Sequence, residues 1–367
     1  MKILITGGPV HAKLDAVKII TNKFKGGLMV DLANKLANQG MEITYLTAKG
    51  AAMPEPILCN DGKIKVVYHD GFHDYHQQVL ALAPQFDAIV LGGAVANLIP
   101  LEPLAGKFPS HNYKPGDVIP INFTVAPRVI DDVKKVAPKA HLFGFKLLSG
   151  VPHKELIQAA YGVLLESKAT AVFANDAKNL MVKYAVTKER GEHEMNMDEM
   201  AAFIVQCLED VYYKTIVTNT PSIVYSHEAD IFALSSKFAN RFTPIPEGYV
   251  FGTIAVRNPD GSFVTTGRGK NELEDFTTVA SVNHDMHTVT VIGDRKASLN
   301  APLMDWIFKH KPNVYAIVHY HRQYPHLKIL PYAIPGTVRD SQRIVNQSFN
   351  IDGHGCFWLL DKKLNVI

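Results

Sequence analysis

The sequence predicts an α/β fold in two successive domains, and three observations lead to that prediction. First, residues 2–6 form a short apolar run that ends at Gly7 and Gly8, as a buried parallel strand turning toward a helix does. Second, short apolar runs alternate with helical patterns in the first half, which indicates a doubly wound parallel sheet. Third, short strands joined by turns follow in the second half, which indicates a mixed domain around a mostly antiparallel sheet.

The first half can be divided into elements in chain order. Apolar residues at helical spacing predict a helix over 31–39, which Gly40 ends before a strand over 42–47. Segment 98–125 is rich in proline, glycine, lysine and histidine, and predicts a long functional loop over the strand ends. The remaining predicted elements are strands at 64–68, 88–91, 142–146 and 171–174, and helices at 153–167 and 197–213.

The second half begins beyond a stretch of threonine, asparagine and proline at 215–222. The turn Asn258-Pro259-Asp260-Gly261 separates two predicted strands, 252–257 and 262–266. A helix over 301–310 and a strand over 314–321 follow. The predicted domains are therefore residues 1–217 and 222–367.

Composition narrows the function class. A chain of 367 residues with 47% hydrophobic and 20% charged residues fits a globular protein of two domains. A net charge of +3 is too small to indicate nucleic-acid binding, and no apolar run approaches the ~20 residues of a membrane span. Three widely separated cysteines favour a reducing compartment, so we expect a cytoplasmic protein without nucleic-acid or membrane partners.

Three histidines near the end of the chain carry the sharpest chemical signal. Residues i and i+2 of a strand point to the same face, so His319 and His321 can share one ligand sphere. His354, on a later strand, would complete a site of three nitrogens with an open position, as in catalytic zinc sites.

The first half lacks the dinucleotide spacing G-x-G-x-x-G, so a nicotinamide site is not supported. Other motifs follow the double glycine in order: Asp15–Gly27, Gly93–Asn97, Gly106–Ser110, Ala137–Ala140, Gly144–Leu147 and Ala174–Asp176. On these motifs, roughly the first 210 residues resemble the phosphopantothenate–cysteine ligase family, and its eukaryotic type more closely than the bacterial one. The resemblance implies a Rossmann-like fold and a nucleotide-dependent amide ligase of coenzyme A biosynthesis, which uses ATP or CTP with Mg²⁺ and forms an acyl-nucleotide.

This resemblance also implies residue roles. Asn22 would hold the acyl-nucleotide carbonyl, and Lys107 would pair with phosphate as the second catalytic residue. The alternatives are a turn-forming asparagine and a solvated surface lysine. Nucleotide or substrate would contact Gly7, Gly8, Gly93, Ala94, Phe145, Lys146, Asn175 and Asp176, although Lys146 can equally be part of a strand end. The chain departs from the family pattern at 24–27 and at Leu148.

The second half contains a series of ordered blocks: Gly252–Arg257, Val264–Gly269, Lys296–Ser298, Lys311–Val314, His319–His321 and Gly353–Gly355. On these blocks, the chain from about residue 223 resembles the class II aldolase/adducin family. The resemblance implies an α+β domain that binds Zn²⁺ or a similar divalent metal through His319, His321 and His354, to polarise a carbonyl. Thr266 and Gly267 would belong to an anion-binding turn for a substrate phosphate, which extends to Lys270; a basic hairpin loop is the alternative.

This second resemblance fails at the general base. Asn300 stands where the family carries a glutamate, and an amide cannot accept a catalytic proton. The acid–base group would have to be Asp305, Tyr320, a residue of a neighbouring subunit or one of the first domain.

Together the two resemblances predict a two-domain enzyme, a ligase-like module fused to a zinc-dependent aldolase-like lyase or isomerase. The expected substrates are a phosphopantothenate-like acid and cysteine, and a small carbonyl or phosphorylated compound. A homo-oligomer is implied as well. The alternative is that one or both modules are inactive and serve as binding or assembly units.

Overall fold

The computed structural model describes residues 1–189, 191–218, 228–244, 250–270 and 275–367. The chain divides into two compact units: Met1–Lys188 with Glu192–Leu208, and Glu189–Gly191 with Glu209–Ile367. The predicted first domain extends to residue 217, whereas the first unit ends at Leu208. The strand Lys214–Thr218 lies in the second unit because it pairs with a strand of that unit. The predicted start at 222 lies outside the described residues.

The first unit is built on an eight-stranded sheet. Its strand order is β8-β7-β6-β5-β4-β1-β2-β3, in which β1 to β6 are parallel and β7 and β8 form an antiparallel edge. The predicted doubly wound, Rossmann-like sheet is confirmed. The strands are β1 (Lys2–Thr6), β2 (Glu42–Ala48), β3 (Ile64–His69), β4 (Ala88–Leu91), β5 (His141–Leu148), β6 (Ala171–Asp176), β7 (Asn179–Val186) and β8 (Glu192–Met195).

Helices cover this sheet because their apolar positions repeat at helical spacing. Leu32, Ala33 and Leu36 are fully buried on α1, for example. The helices of the first unit are α1 (Gly27–Asn38), α2 (Pro56–Asn60), α3 (Phe72–Leu82), α4 (Val129–Val136), α5 (His153–Ser167) and α6 (Met197–Glu209).

The predicted loop over 98–125 contains more structure than expected. Its two ends form a short antiparallel pair, Leu98–Pro100 with Phe123–Val125, so the segment leaves and returns as a hairpin. Two further short pairs tie the neighbouring loops together: Pro9–Val10 with Ala94–Val95, and Ala12–Lys13 with Ile19–Ile20.

The second unit is built on a nine-stranded, mostly antiparallel sheet, as predicted. Its order is β9-β13-β12-β11-β10-β14-β17-β16-β15, and only the β9–β13 and β15–β16 pairs are parallel. The strands are β9 (Lys214–Thr218), β10 (Thr253–Arg257), β11 (Phe263–Thr266), β12 (Phe276–Asn283), β13 (Thr288–Ile292), β14 (Ala316–Tyr320), β15 (Lys328–Leu330), β16 (Phe349–Ile351) and β17 (Gly355–Leu360).

Helices α7 (Glu228–Phe238), α8 (Ala301–His310) and α9 (Val338–Ser341) complete the second unit. Helix α8 packs its apolar face into a core with Phe263, Ile317 and Phe357. Among the described residues, no helix combines the length and apolar character that crossing a membrane requires.

Candidate functional site

The first unit has a crevice where the order of its parallel strands reverses. Strands β1 and β4 are neighbours, and the chain leaves their carboxyl ends in opposite directions across the sheet. Ligands of open α/β sheets bind outside the strand ends at such a point. The structure brings the predicted residues Gly7, Gly8, Gly93 and Ala94 together there.

The glycines of this crevice serve close packing within the protein. A Cβ on Gly7 would lie 2.2 Å from the Tyr45 hydroxyl oxygen, and one on Gly8 would lie 2.8 Å from Ala51 Cβ. The Gly7 N–H donates to Leu46 O at 3.0 Å, and the Gly93 N–H donates to Thr6 Oγ1 at 3.1 Å. The N–H groups of Gly7 and Gly93 are therefore already engaged within the fold.

Asn22 bridges the loop that follows β4. Its Nδ2 donates to Ala94 O at 3.0 Å and to Val95 O at 2.8 Å. Both amide protons are used in this way, so the side chain offers a ligand only its Oδ1 acceptor. The predicted contact with an acyl-nucleotide carbonyl needs a donor, which this geometry does not provide.

Asp15 holds the loop that carries Lys107. Its carboxylate accepts the N–H groups of Val17, Lys18 and Phe108 at 2.6–3.0 Å. Burial alone would raise the pKa of Asp15, but the hydrogen bonds from Lys18, Val17 and Phe108 hold it well below its usual range. Lys107, beside Phe108, is exposed. The carboxylate thus anchors two sequence motifs that lie about ninety residues apart.

The remaining predicted residues of the first unit lie at the ends of β5 and β6. Phe145 packs on Phe173 with ring centroids 5.3 Å apart, and Lys146 is half-buried. Asn175 is buried, and Asp176 accepts N–H groups from Lys178 and Gly150, which lower its pKa. These four residues therefore belong to the carboxyl edge of the sheet.

Helix α1 begins directly at the crevice. Gly26, with φ of +94°, precedes it, and a Cβ there would lie 2.5 Å from the Gly8 nitrogen. The helix has neither a side-chain cap nor an acidic residue in its first turn. The Met29 and Val30 N–H groups donate to Gly26 O, so the N–H groups of Gly27 and Leu28 and the positive end of the helix dipole are what the helix start offers an anion.

In the second unit, the three predicted histidines converge. One ring nitrogen from each of His319, His321 and His354 lies within 4.8 Å of the others. Zn–N bonds of about 2.1 Å would bring tetrahedral ligands to about 3.4 Å from each other, so a small inward movement closes the site. The predicted grouping is confirmed; the metal itself stays a prediction.

Hydrogen bonding and burial prepare His319 as a ligand. Its Nδ1 lies 2.9 Å from Cys356 O, which places the ring proton there and leaves the Nε2 lone pair free. The Nε2 atom is buried and has no hydrogen-bond partner among the described residues. Burial lowers the pKa of His319 well below its ordinary value, and His321 and Lys270 lower it further, so the ring is neutral.

Two packed rings and one glycine fix the trio. Phe357 stacks on His319 at 4.1 Å between ring centroids, and Phe251 stacks on His321 at 4.8 Å. Gly355 has φ of +126°, and a Cβ there would lie 2.3 Å from Tyr320 O. Only glycine allows this close approach, which holds His354 against the end of β14.

Neither proposed substitute for the missing base lies at the histidines. Asp305 accepts a hydrogen bond from His284 at 2.7 Å and forms an ion pair with Lys309 at 2.8 Å, in a separate network. Tyr320 alternates with His319 along β14, and its hydroxyl bonds to Tyr324 and Trp358. Neither Asp305 nor Tyr320 is therefore positioned to act as the acid–base group at the three histidines.

The predicted anion-binding turn lies at the end of β11. Thr266 Oγ1 is buried and has no partner within the described part of the chain, whereas the Gly267 N–H donates to Asp275 O at 2.6 Å. The last residue of the predicted turn, Lys270, is buried. Burial lowers the pKa of Lys270 to about 8. A lysine in a polar loop carries no sequence signal that it will be buried.

Comparisons with known proteins relate mainly to the first unit. The family described as the DNA/pantothenate metabolism flavoprotein C-terminal domain matches residues 1–202. The coenzyme A biosynthesis bifunctional protein CoaBC of Thermococcus kodakarensis is 26% identical over 177 residues, 48% of this chain and 41% of the relative. That of Methanocaldococcus jannaschii is 23% identical over 201 residues, 52% of this chain and 47% of the relative. The chain spans less than half the length of both curated relatives.

Two solved structures have a fold similar to that of the first unit. The DNA/pantothenate metabolism flavoprotein of Streptococcus pneumoniae matches with a TM-score of 0.50 and 22% identity, over 57% of this chain and 98% of its own. A Cab2 variant in complex with phosphopantothenate-cysteine matches with a TM-score of 0.50 and 14% identity, over 57% and 86%. An L-fuculose 1-phosphate aldolase gives a TM-score of 0.28 and 15% identity, over 37% of this chain and 75% of its own.

Proposed function

We infer the function of the first unit from the premise that the chain belongs to the family of the DNA/pantothenate metabolism flavoprotein C-terminal domain. Its relatives are coenzyme A biosynthesis proteins, and the chain is accordingly an enzyme. We propose that it joins a phosphopantothenate-like acid to the amine of cysteine at the expense of a nucleotide. The family match over residues 1–202 is the observation that carries this proposal.

Two features support an acid and a nucleotide as ligands. The Cab2 structure of similar fold holds phosphopantothenate-cysteine, the product of such a joining reaction. In this chain, the uncapped start of α1 opens beside Gly8 at the crevice. Helix starts of this kind bind phosphate through free N–H groups. ATP or CTP with Mg²⁺ remains the proposed nucleotide.

The proposed reaction has two steps. A carboxylate oxygen of the acid attacks the α-phosphorus of the nucleotide, and pyrophosphate leaves with the electron pair of the broken P–O bond. The amine nitrogen of cysteine then attacks the acyl carbon, loses a proton, and displaces the nucleoside monophosphate. Charge builds on the phosphates in the first step, so Lys107 on its anchored loop would stabilise it. Asn22 would accept a ligand N–H or O–H through Oδ1.

Decarboxylation of phosphopantothenoylcysteine is the second candidate, because the family's name includes a flavoprotein. The crevice glycines do not fit a flavin ring: a Cβ on Gly92 would lie 2.0 Å from Met29 Sδ, and Tyr45 fills the space at Gly7. These positions are occupied by the protein's own side chains, so they form no cradle.

One assay separates these reactions. The full chain is incubated with ATP or CTP, 4′-phosphopantothenate and cysteine, and pyrophosphate is measured. We expect release that requires the acid and falls by at least about tenfold in Lys107→Ala. Lys114→Ala, an exposed lysine in the same segment, is the control. Carbon dioxide release from phosphopantothenoylcysteine, with no pyrophosphate in the first assay, would replace the ligase proposal by decarboxylation.

For the second unit, we propose a divalent metal site formed by His319, His321 and His354. The buried, unpartnered Nε2 of His319 is the observation that carries it, because such an atom loses its hydrogen bond to water without gaining another partner. A bound Zn²⁺ would supply Lewis-acid polarisation of a carbonyl. The chain's own residues orient the ligands: Cys356 O sets the His319 tautomer, and Phe357 and Phe251 hold the rings.

Asn300 shapes what this site can do. Its Oδ1 is buried and has no partner in the described ranges of the chain, so the amide can hold a ligand but cannot remove a proton. A small carbonyl compound is therefore proposed as ligand of an aldolase-like unit, and a binding role without turnover is the alternative. Metal uptake with no turnover of any hydroxycarbonyl substrate tested would favour binding. A homo-oligomeric assembly and a cytoplasmic location remain predictions.

A further inference from the structure

His69, the last residue of β3, is a buried histidine of the first unit. It is 4% exposed, and its Nδ1 and Nε2 are both buried, with no hydrogen-bond partner among the described residues. The ring packs edge-on against Tyr75 at 5.2 Å between centroids, and the Tyr75 hydroxyl bonds to Thr6 instead. Burial without hydrogen bonds is costly for a neutral imidazole and far more costly for a charged one. The fold therefore accepts the neutral ring and disfavours its protonation.

Charged and titratable groups surround His69 on three elements. Asp70 follows it in the chain, Asp74 lies on α3, and His11 lies in the loop after β1. The pKa of His69 is lowered to about 4, first by burial and then by His11, whereas Asp74 and Asp70 act in the opposite direction. The Asp70 side chain is 72% exposed and pairs with Lys13 at 2.6 Å, so water and the lysine weaken its effect. Burial thus outweighs the two carboxylates.

The turn that follows His69 holds the loop after β1. The Phe72 N–H donates to His11 O at 2.8 Å. Gly71 has φ of +87°, and a Cβ there would lie 3.0 Å from the same oxygen. The turn and the loop are therefore in direct backbone contact next to the buried ring.

This loop is also connected to the crevice. On its N-terminal side, Pro9–Val10 pairs with Ala94–Val95 of the crevice. On its C-terminal side, Ala12–Lys13 pairs with Ile19–Ile20, close in sequence to Asn22. The loop is thus held at the crevice by its flanks and at the turn after His69 by its middle.

We propose that His69 is an acid-sensitive latch, a buried group whose protonation releases the loop after β1 from the turn at Gly71 and Phe72. The neutral ring stays buried, and the turn keeps its hydrogen bond to His11 O. A protonated ring has to reach water, so the turn opens and the loop beside the crevice loosens in mild acid. This inference does not depend on which reaction the first unit carries out.

The direction of the pH effect follows from the pKa. Folding lowers the pKa of His69, so the neutral ring stabilises the closed turn fully above the pKa of a free histidine, about 6.5. That contribution is lost as pH falls toward the folded pKa of about 4. At pH 5, openings that expose the ring should be roughly thirtyfold more frequent than at neutral pH.

Hydrogen exchange of the full chain, followed by NMR, tests the latch at one hydrogen bond. After correction for intrinsic exchange, the Phe72 amide should lose protection at least about tenfold between pH 7.5 and pH 5.0 in the wild type. His69→Phe keeps a buried ring that cannot be protonated, so it should abolish this loss. His73→Phe, at an exposed position of α3, is the control and should retain it.

The ring itself gives a second readout. The carbon-bound ring protons of His69, identified by their absence in His69→Phe, should titrate well below 6.5 in the wild type. An equal loss of Phe72 protection in the wild type and His69→Phe would overturn the inference, as would protection that is the same at both pH values. His69→Leu replaces His69→Phe if the latter does not fold. If neither variant folds, the wild type decides: a His69 ring that titrates near 6.5 while Phe72 stays protected would contradict the latch.

Discussion

The two units differ in how their polar groups are used. In the first unit, Asn22 bonds to Ala94 O and Val95 O, and Gly93 bonds to Thr6, so these crevice donors are engaged within the fold. The exceptions beside the crevice glycines are the buried hydroxyls of Tyr45 and Thr47, which have no partner among the described residues. In the second unit, His319, Thr266 and Asn300 each leave a buried atom without a partner among the described residues. The matched family ends at residue 202, so it relates to the first unit only. The function of the first unit is therefore proposed from its family, and that of the second unit from buried polar atoms without partners.

The largest expected effect is on metal-dependent stability. A metal that binds only the folded state stabilises it by about 2.7 kcal/mol at a hundred times its Kd. Adding Zn²⁺ to chelator-treated protein should therefore raise the calorimetric melting temperature, and His319→Ala should remove the shift. His326→Ala, an exposed histidine of the same unit, is the control and should keep it. An equal rise in melting temperature in His319→Ala would contradict the proposed metal site of the second unit.

A smaller effect is expected from the glycine that seats His354. Gly355→Ala should cost at least about 2 kcal/mol in the free energy of unfolding, because φ is +126° and the new Cβ meets Tyr320 O. Gly261→Ala is a matched control: its φ is +89°, but no atom lies within 4 Å of the new Cβ, so about 1 kcal/mol is expected. Urea unfolding measures both. Equal losses of unfolding free energy in the two variants would show that the close approach of Gly355 to Tyr320 O does not require glycine.

In the first unit, Asn22→Asp tests whether the crevice amide is structural. A carboxylate cannot donate to Ala94 O or Val95 O, so unfolding should become easier by about 1–3 kcal/mol. The exposed Asn112→Asp should change stability by less than about 0.5 kcal/mol. A stable Asn22→Asp that nevertheless loses pyrophosphate release would instead assign Asn22 to the ligand.

The smallest effect concerns Asp15 and pH. Folding lowers the pKa of this carboxyl, so its ionised form stabilises the fold above its unfolded pKa of about 3.9, and the contribution is lost as pH falls through the folded pKa. Asp15→Asn should melt a few degrees below the wild type at pH 7, and the gap should narrow in acid. Asp61→Asn, exposed, should show no such trend. A gap that is constant with pH would rule out the charge as the cause.

Much of the first sheet could be predicted because its parallel strands are short apolar runs, and β1 and β4 end directly at glycine. Other features depend on tertiary pairing that no local pattern encodes. The helix predicted over 197–213 ends at Glu209, because the following residues lead into β9, which pairs with β13. The segment 98–125 closes as a hairpin through pairing across some twenty residues that carry no strand signal.

The candidate sites show the same limit. The histidine trio was predictable, because H-x-H on a strand has a fixed geometry. Asn22 was placed in the right crevice, but the use of both its amide protons depends on a loop seventy residues away. The burial of Lys270 follows from how the end of β11 meets Gly252, which a single sequence does not reveal.

X-ray absorption at the zinc edge of the zinc-loaded full chain tests the central claim most directly. The account predicts one tightly bound Zn²⁺ per chain, with three imidazole nitrogens at about 2.0–2.1 Å, and loss of this signature in His319→Ala. Sulfur ligation, a shell of water oxygens alone, or an unchanged spectrum in His319→Ala would contradict it.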